Sequence, residues 1–232
     1  MSKDYSRNFG RRMRDAIRER GSRVALALDV LDEQEAYRVL DAVHPHLAAV
    51  KVNYPLFLSV GREAVGRMIG RYDLPFIGDF KIADIDATNT KICEIMYDVG
   101  FDALIAHSVV GRQGALDAVL DAAARHGRGV ILVTSMSHPG AKEFMPPYED
   151  TARFARELGV DGVIAPATRT EEVAAIRRIV GEDMLILSPG VGPQGGKAQE
   201  TLDAGADALI VGRSIYCADD PETAARRLAE VV

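Results

Sequence analysis

Eight short apolar runs rich in Val, Ile, Leu and Ala punctuate the chain, at 24–28, 48–52, 75–78, 103–106, 130–133, 162–165, 184–187 and 208–211. None alternates apolar with polar positions, so each reads as a strand covered on both faces, the mark of a parallel sheet. Stretches rich in Ala, Glu, Arg and Leu lie between them at 33–42, 87–99, 114–126 and 171–180, with helical spacing. Gly100, Gly127, Gly159, Gly181 and Gly205 fall just before the next strand, where a helix commonly ends in a left-handed cap. Eight strand signals alternating with helices in 232 residues predict an α/β chain, a (β/α)8 TIM barrel; a doubly wound open sheet is the alternative. Residues 1–21, with Arg11-Arg12 and Arg18-Glu19-Arg20, predict an N-terminal helical extension packed under or beside a single barrel domain over 22–232.

Composition narrows the classes. A net charge of −6 without a basic patch argues against a nucleic-acid partner. No apolar run reaches membrane-spanning length and the first residues lack the apolar core of a signal peptide, so no membrane partner and a cytoplasmic location are expected. Cys93 and Cys217 stand alone, which fits a reducing compartment with each thiol buried as a small apolar side chain.

Candidate chemistry gathers where the strands end. Asp79 and Lys81, two apart, project to one face of the third strand, and Asp84 follows at once. Burying opposite charges side by side costs desolvation energy that their attraction often fails to recover, so the cluster points to chemistry more than to stability. Barrel active sites form at the C-terminal ends of strands. Those ends carry Asp29, Lys51, Asp79 with Lys81, His107-Ser108, the turn Met136-Ser137-His138-Pro139-Gly140, the run 188–196 and Gly212-Arg213-Ser214. The glycine-rich seventh loop beside Gly212-Arg213 suggests a phosphate site, against the plainer reading of a turn. Asp29 could instead cap the following helix, Lys51 could snorkel to the surface, and His107 could be a satisfied core histidine. His44 and His46 precede the second strand, where solvated loop residues are expected, and no set of residues has the mix a metal site needs.

Taken in order, D-x-K-x-x-D-I (Asp79, Lys81, Asp84, Ile85), the Met136–Gly140 turn, S-P-G-V-G-x-Q-G (Ser188 to Gly195) and Val211-Gly212-Arg213 resemble the orotidine 5′-phosphate decarboxylase family in its short microbial and archaeal form. The likeness spans nearly the whole chain beyond the N-terminal helix. It implies a cofactor-free and metal-free lyase that converts orotidine 5′-monophosphate to uridine 5′-monophosphate and CO2, the last step of de novo pyrimidine synthesis. By the same resemblance Lys81 protonates the carbon that CO2 leaves, Asp79 lies beside the substrate carboxylate, and Lys51 and Asp84 complete an alternating charge array. Asp84, Ile85 and Thr88 come from the partner of a homodimer. Asp29 and Lys51 contact ribose hydroxyls, Ser137 and Gln194 grip the pyrimidine, and Gln194, Gly212 and Arg213 bind the phosphate. Pro189 opens a candidate lid over 189–194. Asn53, where the archaeal form commonly has glycine, and Pro193 depart from the pattern.

The nearest rival is the related group of magnesium-dependent sugar-phosphate lyases and aldolases. They place a carboxylate at the end of the second strand, where this chain has Lys51. An ammonium cannot ligate magnesium, which takes oxygen donors. A barrel that only binds a phosphorylated ligand is a third reading; it leaves the Asp79, Lys81 and Asp84 cluster without a purpose.

Overall fold

The computed structural model describes residues 8–192 and 196–231. Helix α1 (Asn8–Arg20) leads into β1 (Val24–Leu28) and α2 (Glu33–Val43), and β2 (Ala49–Asn53) is followed by α3 (Tyr54–Val60) and α4 (Arg62–Arg71). The chain continues through β3 (Phe76–Ile82), α5 (Asp86–Val99), β4 (Ala103–His107), α6 (Asp117–His126), β5 (Gly129–Val133), α7 (Ala141–Phe144) and α8 (Tyr148–Leu158). It ends with β6 (Gly162–Ile164), α9 (Thr170–Val180), β7 (Leu185–Pro189), α10 (Ala198–Asp203), β8 (Ala208–Val211), α11 (Arg213–Tyr216) and α12 (Pro221–Val231). Each strand pairs in parallel with the next, and β8 closes on β1 with Val24 opposite Leu209 and Leu26 opposite Val211. Closure excludes the open sheet.

The strands are apolar throughout because both faces are covered. Val24, Leu26, Val50 and Leu104 face the helices, whereas Ala25, Ile105, Ile131 and Leu187 fill the barrel. Phe9 and Met13 of α1 belong to that interior cluster and are buried, so the helix sits beneath the barrel as a plug. The fit is close: a Cβ added at Gly129 would lie 2.5 Å from the Cβ of Phe9. Only glycine lets the helix approach so near.

A second device ties the lower rim. Asp102, Asp161 and Asp207 immediately precede β4, β6 and β8, and their carboxylates accept the N–H groups of Phe76, Val130 and Ile186 at 2.8, 3.0 and 2.7 Å. Arg12 of α1 pairs with Asp102 at 2.9 Å, which fastens the plug electrostatically as well. Burial pushes Asp161 up to about 6, although the N–H groups of Val130 and Gly10 favour its ionised form.

Some expectations need correction. The helix expected over 114–126 starts at Asp117, because Gln113 has extended ψ and Gly114 takes φ +74, which break the turn before it. Cys93 is buried as expected, but Cys217, beyond the last turn of α11, is exposed. Gly100, Gly127 and Gly159 form left-handed caps, whereas Gly181 has φ +75 with an extended ψ. No described helix is long and apolar enough to cross a membrane.

Candidate active site

The upper end of the barrel holds a chain of alternating charges. Lys51 points inward from β2, buried, with its Nζ 3.0 Å from Oδ2 of Asp79 and 3.7 Å from Oδ1 of Asp29. Asp79 is also buried, and its Oδ1 accepts a hydrogen bond from Lys81 Nζ at 2.7 Å. Lys81 keeps 39% of its side chain exposed, toward the mouth. One carboxylate therefore bridges two ammonium groups, of which the outer one is much the more exposed.

The strand that carries them is irregular for a reason. β3 and β4 pair regularly at Ile77 and Gly78, then β3 spends four residues from Gly78 to Ile82 against two on β4. The extra residues bulge, as sheets often do beside sites. At the bulge Lys81 adopts φ +43, the one positive φ of a non-glycine among the described residues. A left-handed lysine costs on the order of 1–3 kcal/mol, a strain that collects at functional sites. Phe80 anchors the bulge from behind, edge-on against Tyr54, Phe57 and Phe101.

Burial alone would raise the pKa of Asp79, but the Lys51 and Lys81 ammonium groups outweigh it and hold the carboxyl below its ordinary 3.8. Its folded-state pKa being the lower, ionised Asp79 stabilises the fold at every pH above the ordinary value. That contribution fades only as pH falls through the depressed value. Asp79→Asn is accordingly expected to destabilise by about 3 kcal/mol, since it strips a buried ammonium of its main counter-charge. In urea unfolding the difference should stay constant from about pH 8 to pH 5; a gap that closes within that range contradicts the assignment.

Around this chain lies a cavity of about 260 Å3, floored by Ile105, Val133, Ile164 and Ile210. Of the residues singled out from sequence, Asp29, Lys51, Asp79, Lys81, Ser137, Pro189, Gly212 and Arg213 all line it. The cap of α2 is Asp32, which accepts the N–H of Glu35, so Asp29 is left to the cavity. The side chain of Arg213, the exposed first residue of α11, makes no hydrogen bond or ion pair with a described residue. A planar guanidinium free at the rim, beside N–H groups opening a helical turn, suits an anion. Gln194 and Pro193 lie outside the described residues.

Asp84, Ile85, Thr88, His107 and Asn53 do not join this cavity. Asp84 is exposed after β3, its Oδ1 accepting the N–H of Ile85 at 2.7 Å; Ile85 is 63% exposed and Thr88 half-buried in α5. His107 ends β4 with its Nδ1 buried and without a described partner. Burial and the Lys81 ammonium hold its pKa below the usual histidine value, against the pull of Asp79, which keeps another cation out of the array. Asn53, opposite Asp79 in register, leaves its Oδ1 likewise unpartnered among the described residues.

Sequence reasoning missed the support of the fifth loop. Arg169 donates to the carbonyl of Ser137 at 3.4 Å and pairs with Glu172 at 3.1 Å, and Glu172 accepts from the Ser135 hydroxyl at 2.7 Å. The sixth strand reads as ending apolar in Pro166, and the arginine three residues beyond gives no sign of reaching the neighbouring loop. Tyr216 also lines the cavity unforeseen.

Comparison with known proteins agrees with this geometry. Residues 22–228 match the model of the orotidine 5'-phosphate decarboxylase / HUMPS family. The orotidine 5'-phosphate decarboxylase of Methanosarcina barkeri is 47% identical over 212 residues, covering 91% of this chain and 95% of that protein. The crystal structure of the Methanocaldococcus jannaschii orotidine 5'-monophosphate decarboxylase, complexed with the inhibitor BMP, superposes with a TM-score of 0.85 at 38% identity, covering 90% of this chain and 98% of that one. The Pyrococcus horikoshii enzyme does so with a TM-score of 0.82 at 39% identity, with the same coverage. A barrel of this topology, with the Asp–Lys chain at its mouth and likeness of this extent to archaeal decarboxylases, belongs to the orotidine 5'-phosphate decarboxylase / HUMPS family.

Proposed function

We propose that this chain decarboxylates orotidine 5′-monophosphate to uridine 5′-monophosphate. The observation that carries the reading is the Asp29–Lys51–Asp79–Lys81 chain along the cavity, with Lys81 its most exposed member and, at the rim, an Arg213 side chain that pairs with none of the described residues. Loss of CO2 from C6 of the orotate ring breaks the C6–carboxylate bond and leaves its electron pair on C6, in the ring plane, where the π-system cannot take it up. The protein must then stabilise the pair itself. A fixed ammonium facing C6 does so without reorganisation, and Lys81 then gives its proton to C6 and is left neutral. Asp79, held ionised, accepts a hydrogen bond from the Lys81 ammonium and keeps it aimed until that transfer.

Arg213 and the Gly212 region take the phosphate, with Gln194 of the seventh loop and Pro189 at the lid's base. Asp29 and Lys51 take the ribose hydroxyls, and Ser137 the pyrimidine. Phosphate binding, remote from C6, supplies free energy to close the lid and hold the reacting geometry. Lys51 favours this reaction over the magnesium-dependent one, because the place of a metal-ligating carboxylate is filled by an ammonium already paired to Asp79.

The active unit is a homodimer in which Asp84, Ile85 and Thr88 of one subunit complete the site of the other. Two features support it: those residues stay outside their own cavity, and Tyr54, Leu58, Ile85, Ile95 and Val109 expose apolar surface on consecutive units around β2 to β4. A direct test of the reaction is turnover of orotidine 5′-monophosphate in D2O. Uridine 5′-monophosphate with one deuterium at C6, in equal amount to the CO2 released, is expected; protein that leaves the substrate unchanged overturns the reading.

A further inference from the structure

The loop between β3 and α5 is held from beneath by a side chain to which the mechanism above gives no part. Asn89, one turn into α5, is 0% exposed. Its Oδ1 accepts the N–H of Asp84 at 3.1 Å, while its Nδ2 donates to the carbonyl of the same Asp84 at 2.7 Å and to that of Ala115 at 3.1 Å. The orientation of the amide is unambiguous, since an N–H needs an acceptor and two carbonyls need donors. Both donors and one acceptor site of the side chain are thereby used. Neither a hydroxyl nor a carboxylate could hold both backbone groups of Asp84 and reach across to the loop after β4.

What this clamp fixes is the direction of Asp84. With its backbone gripped on both sides and one carboxylate oxygen tied to the Ile85 N–H, the other oxygen is directed by the loop and not by free rotation. Asp84 lies outside its own subunit's cavity, so a carboxylate ordered in this way is available to a neighbouring site. We propose that Asn89 is a positioning residue that sets the Asp84 carboxylate for the neighbouring subunit's Lys81. The inference rests on the reading that Asp84 acts across the dimer.

Mixing experiments separate the two claims. Asn89→Ala is expected to lose on the order of 10²-fold in kcat, the scale of a misplaced group, with uridine 5′-monophosphate binding retained. Lys81→Ala is inactive by itself. Co-expressed at equal levels, the two variants should recover about a quarter of the wild-type activity, since half the dimers are mixed and each has one site with both Lys81 and a clamped Asp84. Asp84→Ala mixed with Lys81→Ala is the control and should recover the same fraction. Recovery in the control without recovery for Asn89→Ala shows that Asn89 acts within its own barrel and overturns the proposal. Near-normal activity of Asn89→Ala alone overturns it too. Recovery in neither mixture removes the across-dimer reading and the proposal with it. Should Asn89→Ala fail to fold, Asn89→Asp, of the same size but without the two donors, replaces it in every arm.

Discussion

Lys81→Ala is expected to lower kcat for orotidine 5′-monophosphate on the order of 10⁵-fold, combining ~10²–10⁴ for a positioned acid with ~10²–10³ for a preorganised charge. The size follows from the place of Lys81 in the array. It is the most exposed member of the charge chain that lines the cavity, and in the proposed mechanism its ammonium both faces the developing carbanion and supplies its proton. Binding of uridine 5′-monophosphate, which lacks the departing carboxylate, should change less than about tenfold. The Lys51–Asp79 pair at 3.0 Å survives the substitution, and the phosphate and ribose contacts are elsewhere. Rapid-quench turnover and equilibrium binding on the same preparation check both halves. Near-normal turnover would leave the ammonium without a role.

The second large effect belongs to the other end of the ligand. Arg213→Ala should cost 10²- to 10³-fold in kcat/KM, since removing one partner of a bound charge pair costs about 2–5 kcal/mol. Part of that loss should appear in kcat, because the phosphate's binding free energy also holds the reacting end in place. The expectation separates phosphate recognition from chemistry: orotidine, which has no phosphate, should be turned over equally slowly by wild type and variant. A variant that loses as much on orotidine as on the nucleotide would place Arg213 in folding and not in phosphate binding.

The two substitutions bear on parts of the molecule that were unequally legible in the sequence. The barrel could be read because its strands are buried on both faces, so that 24–28, 130–133 and 208–211 lack any polar position. The cavity could be read because strand ends in such a barrel converge, which brings Asp29, Lys51, Asp79 and Arg213 together from distant positions. The alternation rule placed Asp79 and Lys81 on one side, but it contained neither the bulge nor the left-handed turn at Lys81. Those arise from the register against β4, a non-local property. The N-terminal helix was legible as packing under or beside the barrel, but nothing in its mixed-charge pattern announced that Phe9 and Met13 would enter the interior cluster. Arg169 and Asn89 were silent for a related reason: each acts on the backbone of another loop, and no spacing in the chain announces such a contact.

The central claim is that Lys51, Asp79 and Lys81 perform a decarboxylation without a metal ion. The most direct measurement is the ultraviolet absorbance of orotidine 5′-monophosphate mixed with the purified protein in excess EDTA. Loss of the orotate chromophore at a rate unchanged by the chelator is the predicted result. A chromophore that persists, with activity appearing only on a sugar phosphate once Mg²⁺ is supplied, would contradict the account and return the chain to the metal-dependent branch of its superfamily.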